Sequence, residues 1–374
     1  MKTVAVFFGG KSVEHDISVI TALQAMAKFP KGYRMLPVYI TVQGNFVTAD
    51  NLTEAKIYLN FAKNVKNCRN ISIDFENHGL IVWKKNKIKN RIKIDCALLC
   101  NHGRGGEDGS LQGLLELADI AYTCSSLSSS VLTMDKTLTK VMLENFNIKT
   151  LPYVHFDRCE YKQNKLKILQ SVKKKLAFPC IIKPANLGSS VGISICECEA
   201  KLEKQIEEAF AYDEQILIEK YLSSAEEYSC ACVKINEKIL PSKVNVVKKS
   251  KIYTFEEKYI KEKEVDKCKI EQSLNEKIKK LAVKAYKALR CDGVVRVDFL
   301  LDKKKKILYV NELNSIPGSL SFNMFDCLFE DLLSLLIEEG MEKAARAKNI
   351  VYQFSSSAIE KFISLTSKKG LKAK

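Results

Sequence analysis

Val4-Ala5-Val6-Phe7-Phe8-Gly9-Gly10, followed by Lys11, Glu14 and Asp16, reads as a buried strand that ends at paired glycines. Four of its five apolar residues are β-branched or aromatic, which suits a strand covered on both faces. The run is too short, and too soon followed by charge, for a signal peptide. Beyond the glycines, Ile17, Ile20, Leu23 and Ala27 keep helical spacing. Val38–Thr41 and Cys96–Cys100 are further short apolar runs. Strand, glycine turn and helix in repetition predict an open α/β sheet whose strand-end loops hold a ligand.

The third run leads into His102-Gly103-Arg104-Gly105-Gly106-Glu107-Asp108-Gly109-Ser110-Leu111-Gln112-Gly113. Each glycine in a regular element costs about 1 kcal/mol. The stretch is therefore expected to be a loop that brings backbone and polar side chains to something small and charged. Leu52–Lys93, upstream of it, is expected to hold a small hairpin or insertion.

A chain of 374 residues exceeds one compact core and predicts two or three domains. With 46% hydrophobic and 28% charged residues it has the composition of a soluble protein, and no run approaches the roughly 18 residues of a membrane span. The thirteen cysteines include no Cys-x-x-Cys pair. Cys196/Cys198 and Cys230/Cys232 have strand spacing, and no histidine lies at zinc spacing from them. Reduced thiols in a cytoplasmic protein are expected. The net charge of +16 raises a nucleic-acid partner, but only 8 of the 60 basic residues are Arg. Lys173–Lys175, Lys248–Lys251 and Lys303–Lys306 carry no interleaved aromatics, so solvated faces and attraction of an anionic substrate account for the charge better.

Leu138, Val141, Met142 and Phe146 follow helix spacing. Cys180–Lys183 is a strand leading to Gly188-Ser189-Ser190-Val191-Gly192, where backbone N–H groups could approach phosphate oxygens and Lys183 adds charge. The spacing is neither a Walker nor a Rossmann motif, and a plain β-turn stays open. Ile216–Glu219 and Tyr228–Val233 read as strands, the latter pairing with Ile239-Leu240 across Asn236-Glu237. Helix Glu276–Leu289 precedes a hairpin of Val294–Leu301 and Ile307–Asn314. Alternation puts Arg296 and Asp298 on one face and Glu312 and Asn314 on one face. Two carboxylates and an amide, brought together by antiparallel pairing, suit Mg²⁺ with phosphate and water as further ligands. Gly318, in the turn after Asn314, can offer a backbone donor to an oxyanion. Arg296 could stabilise the same anion, pair with Asp298, or do both.

These motifs, in order, resemble the D-alanine–D-alanine ligases of the ATP-grasp superfamily over roughly residues 1–335. The resemblance rests on Gly9-Gly10-x-Ser12-x-Glu14, the His102–Gly113 loop, Met134-Asp135-Lys136, Lys183-Pro184 with Gly188–Gly192, Glu219-Lys220-Tyr221-Leu222, Lys258-Tyr259, Arg296-Val297-Asp298 and Glu312-Leu313-Asn314. It implies a three-domain α/β ATP-grasp fold: a Rossmann-like open parallel sheet over 1–124, then α+β domains over 125–222 and 223–345 that clamp ATP. A basic extension, 346–374, follows. The implied reaction is ATP-dependent joining of two D-alanines through a D-alanyl phosphate, in the cytoplasm, for cell-wall precursors. D-lactate or D-serine stays open as second substrate. No nucleic acid or membrane is implied, and a homodimer is compatible.

The resemblance also assigns roles. Lys136 and Lys183 would hold nucleotide phosphates under the loop of Gly188 and Ser190, and Lys258 would also contact the nucleotide. Glu219, Lys220 and Leu222 would bind adenine, and Glu227, with Glu226 as the alternative, the ribose. Asp298, Glu312 and Asn314 would hold two Mg²⁺, with Mn²⁺ an acceptable substitute. Glu14 would take the first ammonium and His102 lie near its carboxylate. Arg296 and Gly318 would form the oxyanion site, Ser319 would touch substrate, and Ser189 and Tyr259 would link the mobile loop to Glu14. The sequence departs from the family at Ser319-Leu320-Ser321-Phe322-Asn323, where many members have Thr and then Ser.

Overall fold

The computed structural model of the chain describes residues 1–247, 270–351 and 354–368. Its first part runs β1 (Lys2–Gly9), α1 (His15–Ala27), β2 (Tyr33–Ile40), β3 (Phe46–Thr48), α2 (Phe61–Asn64), β4 (Arg69–Asp74), β5 (Gly79–Lys84), β6 (Lys87–Lys93), β7 (Cys96–Leu99) and α3 (Ser110–Leu117). The strands lie in the order β6-β5-β4-β3-β2-β1-β7. β1 is parallel to β2 and β7, as expected of an open α/β sheet. The expected insertion is an antiparallel extension, β3 to β6, that lengthens one edge of this parallel core. Gly9, at φ +83°, lies where any Cβ would strike the Ile40 carbonyl, so only glycine lets β1 turn so close to β2.

α4 (Leu127–Met134) and α5 (Lys136–Asn145) follow, then β8 (Tyr153–Asp157), α6 (Arg158–Leu176), β9 (Cys180–Pro184), β10 (Ser194–Cys196), α7 (Glu199–Ala209) and β11 (Gln215–Lys220). Asp135 starts α5 by accepting from the N–H groups of Thr137 and Leu138 at 2.8 and 3.0 Å. β10-β9-β11-β8 form an antiparallel sheet. Ile182, Ile216 and Ile218 point from one face into a core with Val172, Ile206 and Phe210. Lys183, Leu217 and Glu219 therefore occupy the other face.

The third sheet comprises β12 (Glu226–Ile235), β13 (Lys238–Val247), β14 (Val294–Asp302) and β15 (Ile307–Asn314), with α8 (Gln272–Ala288) packed on it. Its order is β13-β12-β14-β15, all antiparallel. Tyr228, Cys230, Val295, Val297 and Phe299 face α8. Glu227, Ser229, Arg296, Asp298, Glu312 and Asn314 share the opposite face by alternation. Last come α9 (Phe329–Ala347) and α10 (Ala358–Lys368). Leu333 and Ile337 of α9 join the core of the first sheet, so the chain returns to its starting layer.

Three local expectations change. Ser110–Gly113 are not loop but the first turn of α3, where Gly113 lies against the Leu127 side chain. Cys198 does not share a strand with Cys196: β10 ends at Cys196 and Cys198 is the exposed N-cap of α7. On α5 the expected apolar stripe is largely outside, with Leu138 and Val141 exposed while Thr137, Thr139, Lys140 and Leu143 are buried.

Candidate active site

The faces of the second and third sheets and the C-terminal ends of β1 and β7 converge on one space. Glu14, the residue before α1, is buried there and its Oε1 accepts from the Ser189 hydroxyl. Two glycines make room for this carboxylate. A Cβ on Gly188 would stand 2.7 Å from its Oε2, and one on Gly103 would stand 2.8 Å from the same atom. Ser189 and Ser190 hold positive φ (52° and 60°), the strained geometry of a loop shaped for contact rather than for local preference.

The His102 loop behaves as its glycines suggest, with Gly103, Gly105 and Gly109 at positive φ. His102 is buried, with its N–H donating to Ser18 Oγ at 2.8 Å and Nε2 paired with Thr21 Oγ1 at 2.9 Å. Thr21 Oγ1 in turn accepts from the Ser319 N–H at 3.1 Å. Burial first, and then the Arg296 charge, push the imidazole down to about 3, against a hydrogen bond with the Ile316 backbone. His102 is thus neutral at physiological pH. In the unfolded chain it gains a proton near pH 6.5, so its contribution is complete above that value and is lost as pH falls towards 3. Relative to His102→Gln, wild-type protein is expected to lose about 1.4 kcal/mol of unfolding free energy per pH unit below 6.5. Urea unfolding of both proteins at pH 7.5, 6 and 5 checks this. A constant difference would mean that the ring titrates freely in the fold.

Glu107 was not singled out from the sequence, yet it ties the loop to the turn after β15. It accepts from the Gly103 N–H at 2.8 Å and the Ile316 N–H at 3.3 Å. Burial, then the Glu14 charge, hold it above the usual carboxylate range. Thr21 and Ser18 were missed as well. Only contacts between segments far apart in the chain reveal them.

Lys183 and Glu219 are diagonal neighbours on β9 and β11, because Lys183 lies opposite Leu217. Glu219 pairs with Lys183 through Oε2 and with Lys140 of α5 through Oε1. Burial would raise the Glu219 carboxyl, but the two ammonium groups outweigh it and hold it near 2. Lys183 is raised in spite of burial by Glu219, Glu312 and Glu227. Lys136 Nζ donates to the Leu187 carbonyl at 2.5 Å, at the root of the glycine loop. Glu226 is engaged by Lys303 at 2.6 Å and by the Tyr228 hydroxyl at 2.8 Å, on the face away from Glu227. Lys220 and Leu222 follow Glu219 where β11 leaves the sheet.

On the hairpin, Asp298 lies directly opposite Glu312, and Arg296 opposite Asn314. Arg296 forms a bidentate pair with Asp298, Nε to Oδ1 and Nη2 to Oδ2, both 2.8 Å. Asn314 Nδ2 donates to Asp298 Oδ2 at 3.1 Å, which leaves its carbonyl oxygen for another partner. Among the described residues no three His, Cys, Asp or Glu side chains are gathered as a metal centre. Two opposed carboxylates and an amide fit a hard cation that takes its remaining ligands from phosphate and water. Gly318 opens the turn in which Ser319, Leu320 and Ser321 all hold φ near +50°. Lys258 and Tyr259 lie outside the described residues.

A Rossmann-like sheet set against two α+β layers, with paired lysines on one layer and an acid–amide ribbon on the other, defines an ATP-grasp enzyme. Family models described as the D-ala D-ala ligase N-terminus and C-terminus match residues 3–125 and 142–335. The chain belongs to the D-alanine–D-alanine ligase family. It is 35% identical to the D-alanine–D-alanine ligase of Thermosipho africanus, over 96% of this chain and all of that one. Identity to the corresponding ligase of Clostridium acetobutylicum is also 35%, over 93% and 99%. Among solved structures, the D-alanine–D-alanine ligase of Helicobacter pylori superposes with a TM-score of 0.75 at 27% identity, covering 90% of this chain and 98% of that one. The VanG D-Ala:D-Ser ligase of Enterococcus faecalis superposes with 0.77 at 26%, covering 91% and 99%.

Proposed function

We infer that the protein is an ATP-dependent ligase that joins two D-alanine molecules into D-alanyl-D-alanine, a cell-wall precursor. A carboxylate oxygen of the first D-alanine attacks the γ-phosphorus and ADP departs. The amine of the second attacks the acyl carbon, phosphate leaves, and the amine gives up its proton. The observation that carries this reading is the Ser189–Glu14 contact. It brings the Gly188–Gly192 loop onto a carboxylate of another layer, which supports a site that would enclose nucleotide and amino acid together.

Roles for individual residues follow as proposals. Glu14 receives the ammonium of the first D-alanine and His102 lies beside its carboxylate, a reading supported by the burial of both side chains next to the glycine loops. Lys136 and Lys183 hold phosphates beneath Gly188 and Ser190. Glu219, Lys220 and Leu222 bind adenine; the roles of Lys258 at the nucleotide and of Tyr259 beside Ser189 rest on the resemblance alone. Glu227 rather than Glu226 takes the ribose, a choice supported by Glu227 sharing the face of Ser229 and Asp298 and reaching Lys183 electrostatically. Arg296 and the Gly318 N–H stabilise the oxyanion, and Ser319 touches the second substrate. Asp298, Glu312 and Asn314 hold two Mg²⁺, or Mn²⁺ instead, which offset phosphate charge. Domains are proposed over 1–124, 125–222 and 223–345. Cytoplasmic residence, beside the ATP pool, belongs to the proposal, and a homodimer can be tested by sedimentation.

D-lactate or D-serine as second substrate is the alternative, favoured by the altered Pro317–Asn323 segment. Purified protein with ATP, Mg²⁺ and D-alanine should release one phosphate per dipeptide. Competition between D-alanine, D-serine and D-lactate across pH ranks the second substrate. Folded protein that yields neither phosphate nor dipeptide would overturn the reading.

A further inference from the structure

Lys140 is the one lysine of α5 that points inward, with a side chain only 1% exposed. Its neighbours Leu138 and Val141 stand in solvent, at 40% and 47% exposure. Packing alone would have chosen the reverse, since burying an ammonium carries a large desolvation penalty. Burial accordingly pulls the Lys140 ammonium below its usual range, and Lys183 adds to this, with Glu219 opposing. What Lys140 meets inside is the Glu219 carboxylate, with its Nζ also 5.5 Å from the centre of the Tyr153 ring. Tyr153 lies directly opposite Glu219 across β8 and β11, so strand pairing and helix packing fix the same contact. Lys183 takes the other oxygen of Glu219 and is the more exposed of the two lysines, at 9%.

The charges of this buried trio decide what Lys183 can do. With both lysines present, one carboxylate is shared between two cations and the group carries one net positive charge. With Lys140 absent, Glu219 and Lys183 would form a neutral pair, and the pull of Lys183 on an anion would be largely cancelled. We propose that Lys140 is a positioning residue whose buried ammonium occupies Glu219, so that Lys183 keeps its positive charge for nucleotide phosphate. The proposal rests on the nucleotide site inferred above.

Calorimetric titration with Mg·ADP and with adenosine, which lacks phosphate, separates this role from a structural one. Lys140→Met should weaken ADP about tenfold while adenosine changes less than about twofold, because only phosphate feels the lost charge. Lys140→Arg should keep the wild-type ratio of the two affinities. Lys140→Met combined with Glu219→Gln should restore that ratio, since the trio again carries one net positive charge. If Lys140→Met does not fold, the charge-balanced double variant carries the test alone, and a ratio about tenfold below wild type would overturn the proposal. Equal loss of ADP and adenosine in Lys140→Met, or an unchanged ratio, would overturn it too. Failure of the wild-type protein to bind ADP would remove the nucleotide site itself, and the proposal with it.

Discussion

Arg296→Ala is expected to lower kcat by about 10²- to 10³-fold, the usual cost of removing one oxyanion donor. ADP affinity should change by less than about twofold, because Lys183 and Lys136, proposed to hold its phosphates, lie on another sheet and on α5. The geometry explains why the loss should exceed that of a surface arginine. The guanidinium is fixed by two 2.8 Å bonds to Asp298, and its charge adds to burial in depressing the His102 imidazole. It is therefore a preorganised cation, oriented before any anion forms. Lysine at this position keeps the charge but not the fork, so Arg296→Lys should recover only a small part of the rate. Single-turnover phosphate release and calorimetric ADP binding check both statements. Parallel loss of rate and nucleotide affinity would make Arg296 a structural clamp on Asp298 and nothing more.

What the sequence could disclose depended on whether a contact is local. The acid–amide ribbon was legible because alternation along β14 and β15 is a two-residue rule, and the hairpin fixes which strand meets which. The turn at Asn236-Glu237 was legible for the same reason. The loop of Gly103, Gly105 and Gly109 was legible because positive φ leaves a compositional trace. Lys140 left no such trace. Apolar spacing on α5 pointed to Leu138 and Val141, whereas the buried face was chosen by a carboxylate about eighty positions away in sequence. Glu107 and Thr21 were hidden similarly, since each joins the first sheet to the turn at 316–319. The three left-handed residues Ser319, Leu320 and Ser321 could not be foreseen either. None is glycine, so composition leaves no trace of the left-handed backbone, and the Ser319 N–H is engaged by Thr21, far away in sequence.

The second large effect is expected from Asp298→Asn. This change keeps the shape of the side chain and its capacity to accept from Asn314, but removes one of two opposed carboxylates. Mg²⁺ bound through few protein oxygens depends on each of them, so losing one charge should cost several kcal/mol of transition-state stabilisation, roughly 10³-fold in turnover. The same change releases the Arg296 fork, which separates two explanations that activity alone would merge. If Asp298 acts mainly as the partner of Arg296, ADP should bind Asp298→Asn with the same response to Mg²⁺ as wild type. If Asp298 is a metal ligand, the gain in ADP affinity on adding Mg²⁺ should shrink at least about tenfold, and raising Mn²⁺ should recover part of it. Glu312→Gln should behave as Asp298→Asn does in this titration, because the two carboxylates face each other across the strands. An undiminished Mg²⁺ response in both variants would remove the metal from this hairpin and leave Asp298 as an anchor for the arginine.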